Sequence, residues 1–155
     1  MHNTMMFFTE MGRCYWLKVY QIPEGTRSSK GRAIQNVIQI DPGDKVRAYI
    51  NVKNLNDEEF VQNNYLVMCT KRGIIKKTTL EDYSRPRTNG VKAIVIRDGD
   101  QLLEVKLTSG QAEIMIAARE GRAIRFNEST VRPMGRVSSG VRAISIDDDN
   151  EVIGM

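Results

Sequence analysis

Three stretches of the chain repeat one another when aligned on Gly12, Gly73 and Gly121, and this internal repetition limits the fold more than any other feature. An apolar, strand-like run precedes each glycine: residues 5–9 (MMFFT), 65–70 (YLVMCT) and 113–118 (EIMIAA). Each glycine sits in a short turn, EMGR, KRGI or REGR, where a hairpin commonly needs positive φ. A second strand mixing apolar with basic residues follows at 14–19, 74–79 and 123–126. Next comes a long loop in which an arginine leads to a glycine three or four residues later, and a basic residue then precedes Ala-Ile: RSSKGRAI from Arg27, RTNGVKAI from Arg87 and RVSSGVRAI from Arg136. Third strands are expected at 34–40, 93–96 and 143–146, each ending in an acidic turn, and fourth strands at 46–52, 102–108 and from Val152.

A repeat of roughly 50 residues carrying four short strands is the pattern of a propeller blade, and helical solenoid repeats would need a 3.6-residue periodicity that is missing. The expected fold is therefore all-β, with propeller-like blades of four antiparallel strands each at 4–53, 63–109 and 111–155 and an inserted polar loop at 53–63. A single β-sandwich or barrel with similar hairpins is the alternative. At 155 residues there is little room for a separate catalytic domain, and apolar runs such as residues 65–69 fall far short of the roughly 20 residues of a membrane span. The first ten residues lack a basic leader and a cleavage site, which predicts a cytoplasmic address and no membrane partner.

Charge follows the repeats. Net charge is only +4, yet segments 12–36, 71–92 and 119–142 hold eighteen basic and five acidic residues, leaving the remainder strongly acidic. If each repeat is one radial blade, these segments join into a curved positive band, which suits the phosphate backbone of a bent duplex. Arginine outnumbers lysine 14 to 9, favouring forked donors to phosphate oxygens. The candidate phosphate contacts are Arg27, Lys30, Arg32, Lys76, Lys77, Arg85, Arg87, Lys92, Arg122, Arg125, Arg132, Arg136 and Arg142. With 6% aromatic residues and no recognition helix, binding should be sequence-tolerant, any preference arising from how easily a duplex bends.

Catalytic patterns are missing. There is no phosphate-binding loop, no His-Glu-x-x-His and no Gly-x-Ser-x-Gly, and one histidine with two cysteines cannot supply a four-ligand zinc site. Cys14 and Cys69 lie in apolar runs and read as buried, reduced thiols. The Asp147-Asp148-Asp149 run reads as a solvated turn, because the glycine and distal glutamate of a calcium loop are lacking.

Several separated motifs resemble the C-terminal domain family of the bacterial DNA gyrase A subunit: Lys18 to Glu24 (KVYQIPE), Arg27 with Lys30-Gly31-Arg32, Gly73 to Leu80, Thr108-Ser109-Gly110, Arg125-Phe126 and Val131 to Gly135 (VRPMG). The likeness spans essentially the whole chain in the family's order. It implies a β-pinwheel, a propeller-like ring of usually six blades that exchanges strands between neighbours and wraps double-stranded DNA around a basic perimeter during ATP-driven negative supercoiling. It also implies that the active-site tyrosine, ATP and Mg belong to other parts of the parent topoisomerase, that no cofactor is bound here, and that the partners are the gyrase B subunit together with the rest of the gyrase A subunit. The family's Gln-Arg-Arg-Gly-Gly-Lys-Gly box does not occur in this chain, so the resemblance is to an internal fragment of about three blades, the A-type chain of topoisomerase IV being the alternative relative. Three blades of a larger ring leave open strand edges, from which a homodimer is expected. A protein-interaction propeller meeting an acidic partner, or an RNA-binding β module, would use the same charge differently.

Overall fold

The computed structural model describes residues 3–22, 24–26, 28–31 and 38–155. Three antiparallel sheets are built around the three glycine-turned hairpins. In the first, β1 (Thr4–Thr9) pairs with β2 (Arg13–Lys18) on one side and β3 (Val46–Val52) on the other. A short helix, α1 (Glu58–Asn63), fills the insertion; the Asp57 side chain accepts a hydrogen bond from the Phe60 amide and so caps its first turn. The second sheet sets β4 (Tyr65–Thr70) between β5 (Ile74–Thr79) and β7 (Leu102–Thr108), with the two-residue β6 (Val91–Lys92) intervening in sequence. The third sets β8 (Glu113–Ala118) between β9 (Ala123–Asn127) and β11 (Val152–Gly154), with β10 (Val141–Arg142) intervening.

The sheets are interlocked by exchange. β6 of the second repeat completes the first sheet beside β2, with Lys92 opposite Arg13 and Val91 opposite Cys14. β10 of the third repeat completes the second sheet beside β5, with Arg142 opposite Ile74 and Val141 opposite Ile75. β9 pairs only with β8 among the described residues, so the third sheet has three strands rather than the expected four.

The third strands therefore differ from expectation. Residues 93–96 and 143–146 form no strand, because Ala93 and Ile94 both donate to the Gly12 carbonyl and Ala143 and Ile144 both donate to that of Gly73, which ends the ladder at a bend. The expected strand at 34–40 lies mostly outside the described residues, and residues 38–40 are not in a strand.

The apolar cores lie between sheets. Successive side chains of a strand point to opposite faces, so Leu66 and Met68 of β4 face one core with Met6, Phe8, Leu80 and Tyr83, while Val67 and Cys69 face another with Ile75, Ile114, Ile116 and Val152. Each fully buried Leu, Ile or Phe contributes about 1.5–3 kcal/mol, so neighbouring sheets depend on one another for stability.

Candidate nucleic-acid interface

The loop glycines are explained by how closely the exchanged strands approach. A Cβ added to Gly140 would lie 2.5 Å from the Ile75 carbonyl oxygen, and one on Gly90 would lie 2.7 Å from that of Cys14. The receiving turns are equally tight: a Cβ on Gly73 would come within 2.5 Å of the Ile144 carbonyl oxygen, and one on Gly12 would overlap that of Ile94. Backbone thus meets backbone on both sides of each joint. The joint fixes the register of the residues beyond the glycine, so Lys92 and Arg142 stand at corresponding places on the two exchanged strands, both exposed.

Of the other candidates, Lys30, Arg85, Arg87, Arg125 and Arg132 are exposed and Arg136 is half-buried. None of these eight is in an ion pair among the described residues. Arg27 and Arg32 lie outside the described residues. Arg97, outside the three basic segments, also reaches this region, donating to the Ser139 hydroxyl (3.4 Å) and the Gly140 carbonyl (3.3 Å). Its position just before Asp98 reads as part of an acidic turn, which hides it in the sequence.

Three candidates need correcting. Lys76 and Lys77 are buried on β5, so neither ammonium can reach a phosphate. Lys76 Nζ donates to the carbonyls of Ala93 (2.5 Å) and Arg136 (2.6 Å), and Lys77 Nζ pairs with the Glu128 carboxylate at 3.2 Å. The alternation rule fails here because β5 is packed on both faces, first to fifth residue alike. Arg122 is exposed but its Nε donates to Glu120 at 2.6 Å, so its charge is locally balanced, and that partner raises its pKa further.

Part of the basic excess serves the acidic turns. Arg72 donates to the carbonyls of Asn150 (2.7 Å) and Asp147 (3.2 Å) and pairs with Asp148, while Arg119 donates to the Asp149 carbonyl. Fewer cations of segments 12–36, 71–92 and 119–142 are therefore free of such neighbours than the sequence count suggests.

Burial shapes the remaining titrations. It lowers the Lys76 ammonium to about 8, with the Arg136 charge pushing the same way and Asp82 opposing. It also pushes the Cys69 thiol up to about 12, aided by Glu104 and Asp100, and that of Cys14 well above its ordinary value against the pull of Arg136. Both thiols are free and buried, and neither is set up as a nucleophile. Among the described residues no group of three or more His, Cys, Asp or Glu is placed to hold a metal ion, and no helix is long and apolar enough to cross a membrane.

Antiparallel sheets around glycine-turned hairpins, joined by strands exchanged between repeats, define a propeller-like β-pinwheel protein. The chain belongs to the family described as DNA gyrase C-terminal domain, beta-propeller, which matches residues 3–53, 64–109 and 112–155. It is 48% identical over 141 residues to the DNA gyrase A subunit of Clostridium acetobutylicum, covering 91% of this chain and 16% of that protein. It is 41% identical over 151 residues to the DNA gyrase A subunit of Haemophilus influenzae, covering 97% of this chain and 17% of that protein. The chain thus spans about a sixth of the length of these relatives. Among solved structures, the C-terminal domain of DNA topoisomerase IV superposes with a TM-score of 0.84 at 27% identity, over 98% of this chain and 46% of that one. A DNA gyrase A C-terminal domain superposes with a TM-score of 0.78 at 20% identity, over 98% and 46%, a likeness of fold.

Proposed function

We propose that the chain binds and bends double-stranded DNA, with little regard to sequence, along the cations carried by its long loops and exchanged strands, as the wrapping part of a DNA gyrase A subunit. The observation that carries this reading is the equivalent, exposed placement of Lys92 and Arg142 on successive exchanged strands, flanked by Arg85, Arg87, Arg132 and Arg136 without carboxylate partners among the described residues. A cation repeated at every joint meets a polymer whose phosphates also repeat. Arg27, Lys30, Arg32 and Arg125 complete the set in this reading.

The sequence relatives at 48% and 41% identity are both DNA gyrase A subunits, which supports gyrase over its paralogue, whereas the superposed topoisomerase IV and gyrase domains, at 27% and 20% identity, do not separate the two. The partners are then double-stranded DNA, the gyrase B subunit, and the rest of the gyrase A subunit, in the bacterial cytoplasm at the nucleoid. Strand cleavage, ATP hydrolysis and Mg belong to those other parts.

A salt titration of duplex binding tests the reading. Affinity should fall linearly with log salt, with a slope near about −0.9 for each phosphate neutralised, and change little when the sequence is scrambled. Replacing Arg85, Arg87 and Lys92 together by glutamine should flatten the slope by about 2–3. Preference for single strands, or binding that ignores salt, would replace this reading with an RNA-binding or protein-binding one.

A further inference from the structure

We propose that Lys76 is a positioning residue, whose buried ammonium ties the Arg136 stretch of one basic loop to the Ala93 end of the loop before it and so sets the spacing of cations across the joint between the second and third sheets. This deepens the duplex-binding reading and rests on it.

The position does not call for a cation. Counting from the turn glycines, Lys76 corresponds to Tyr15 in the first repeat and to Ile124 in the third, and the same hairpin forms around both. A buried ammonium is expensive to desolvate, yet among the described residues no carboxylate hydrogen-bonds to this one; its two acceptors there are main-chain carbonyls. Those carbonyls come from different repeats. Ala93 is itself fixed on the first sheet, where its amide donates to the Gly12 carbonyl at 2.7 Å, and its own carbonyl also accepts from the Tyr83 hydroxyl at 3.3 Å. Arg136 belongs to the third repeat. One ammonium on the second sheet thus ties backbone held by the first to backbone of the third.

The basic loop is anchored on either side of Arg136 as well. The Met134 amide donates to the Lys77 carbonyl at 2.7 Å, and the Ser138 carbonyl accepts from the Val95 amide at 3.0 Å. Only Lys76 grips residue 136 itself among the described residues, so it determines where the Arg136 side chain starts toward solvent. The charged groups facing Lys76 are the Arg136 guanidinium and Asp82; the side chain is fully buried, so its ammonium makes no direct contact with a phosphate.

The test uses the full 155-residue chain with spin labels at Thr88→Cys and Val137→Cys, both exposed, while Cys14 and Cys69 are buried from the reagent. The parent should give one narrow label-to-label distance. Lys76→Met should broaden or shift it, weaken duplex binding about tenfold at low salt and flatten the salt slope by about 1, although no exposed cation has been removed. Lys76→Arg, which keeps charge and donors, should preserve all three readings. If Lys76→Met does not fold, Lys76→Gln replaces it with the same expected outcomes. An unchanged distance and slope in a variant whose parent shows the salt dependence would overturn the positioning role. A parent that shows no salt-dependent duplex binding would instead sink the functional reading, and the distance measurement would then decide the role of Lys76 alone.

Discussion

Gly12, Gly73 and Gly121 share one backbone conformation, with φ of +89°, +89° and +99°, but not one environment. At Gly12 and Gly73 the exchanged segment of the next repeat presses its backbone against the α-carbon, whereas among the described residues nothing lies within 4 Å of a Cβ built on Gly121. Alanine at any of them must adopt a left-handed conformation, at a cost of about 1 kcal/mol. Gly73→Ala must in addition push back the Ile144 carbonyl and with it the β10 pairing, so its total loss should exceed about 3 kcal/mol, while Gly121→Ala should stay near about 1 kcal/mol. Urea midpoints of the two variants, measured where the chain is monomeric, check this. Equal losses would mean that conformation alone selects the glycine and that the tight joint contributes nothing.

The two joints between sheets are the same element built from different chemistry. At the first, Trp16 of β2 donates its indole N–H to the Tyr83 carbonyl at 3.0 Å, and Leu80 and Tyr83 pack against Phe8. At the second, Lys77 takes the place corresponding to Trp16 and Glu128 that corresponding to Leu80, four and seven residues after the turn glycine. The Lys77 ammonium lies 4.4 Å from the Tyr65 ring centroid, and Glu128 also accepts from the Thr108 hydroxyl and the Ala112 amide, each at 2.8 Å. Burial alone would raise the Glu128 pKa, but the Ala112, Thr108 and Lys77 donors together hold it below the ordinary value. A depressed carboxyl contributes stability that is present above the unfolded pKa of about 4.5 and lost as pH falls through the folded value. Glu128→Gln should therefore cost about 3–5 kcal/mol at neutral pH, by leaving Lys77 buried and unpaired, and should lose part of the acid sensitivity seen in the parent. The double change Lys77→Met with Glu128→Leu, which imitates the apolar joint, should recover most of that loss; a double variant as unstable as the single one would show that the pair is not interchangeable with packing. Legibility in the sequence follows the same division. The hairpins could be read from local signals, an apolar run, a glycine and a half-polar run, whereas β6 and β10 are two residues long and pair with strands far away in the chain, which no local pattern reports. Lys76 and Lys77 read as surface cations because the IIKKTT stretch gives no sign that both of its faces are covered. The exposed loop arginines, by contrast, needed only their repeat phase to be found.

For the molecule as a whole, donors and acceptors of the strand exchange can be counted. The second and third repeats place their donor segments on the first and second sheets, which uses two acceptors and leaves the outer edge of β9 without a strand among the described residues. The sequence Gly31-Arg32-Ala33-Ile34 repeats the pattern of the donor segments, and among the described residues nothing lies within 4 Å of a Cβ built on Gly31, unlike Gly90 and Gly140. A further donor sequence and one open acceptor edge allow a heterologous, head-to-tail contact between copies. An open edge with unpaired N–H and C=O groups favours such pairing. The isolated 155-residue chain is therefore expected to self-associate through β9 of one copy and the Gly31 segment of another, and light scattering should give a mass that rises above that of the 17.6 kDa chain with concentration. Gly121→Ala supplies the specific control: its Cβ would stand where the incoming carbonyl must lie, as at Gly73, so it should abolish association while leaving the single copy folded. A parent that stays monomeric at the highest concentration reached, or a Gly121→Ala variant that associates as the parent does, would rule out the joint at β9 and leave that edge for a blade of the same polypeptide.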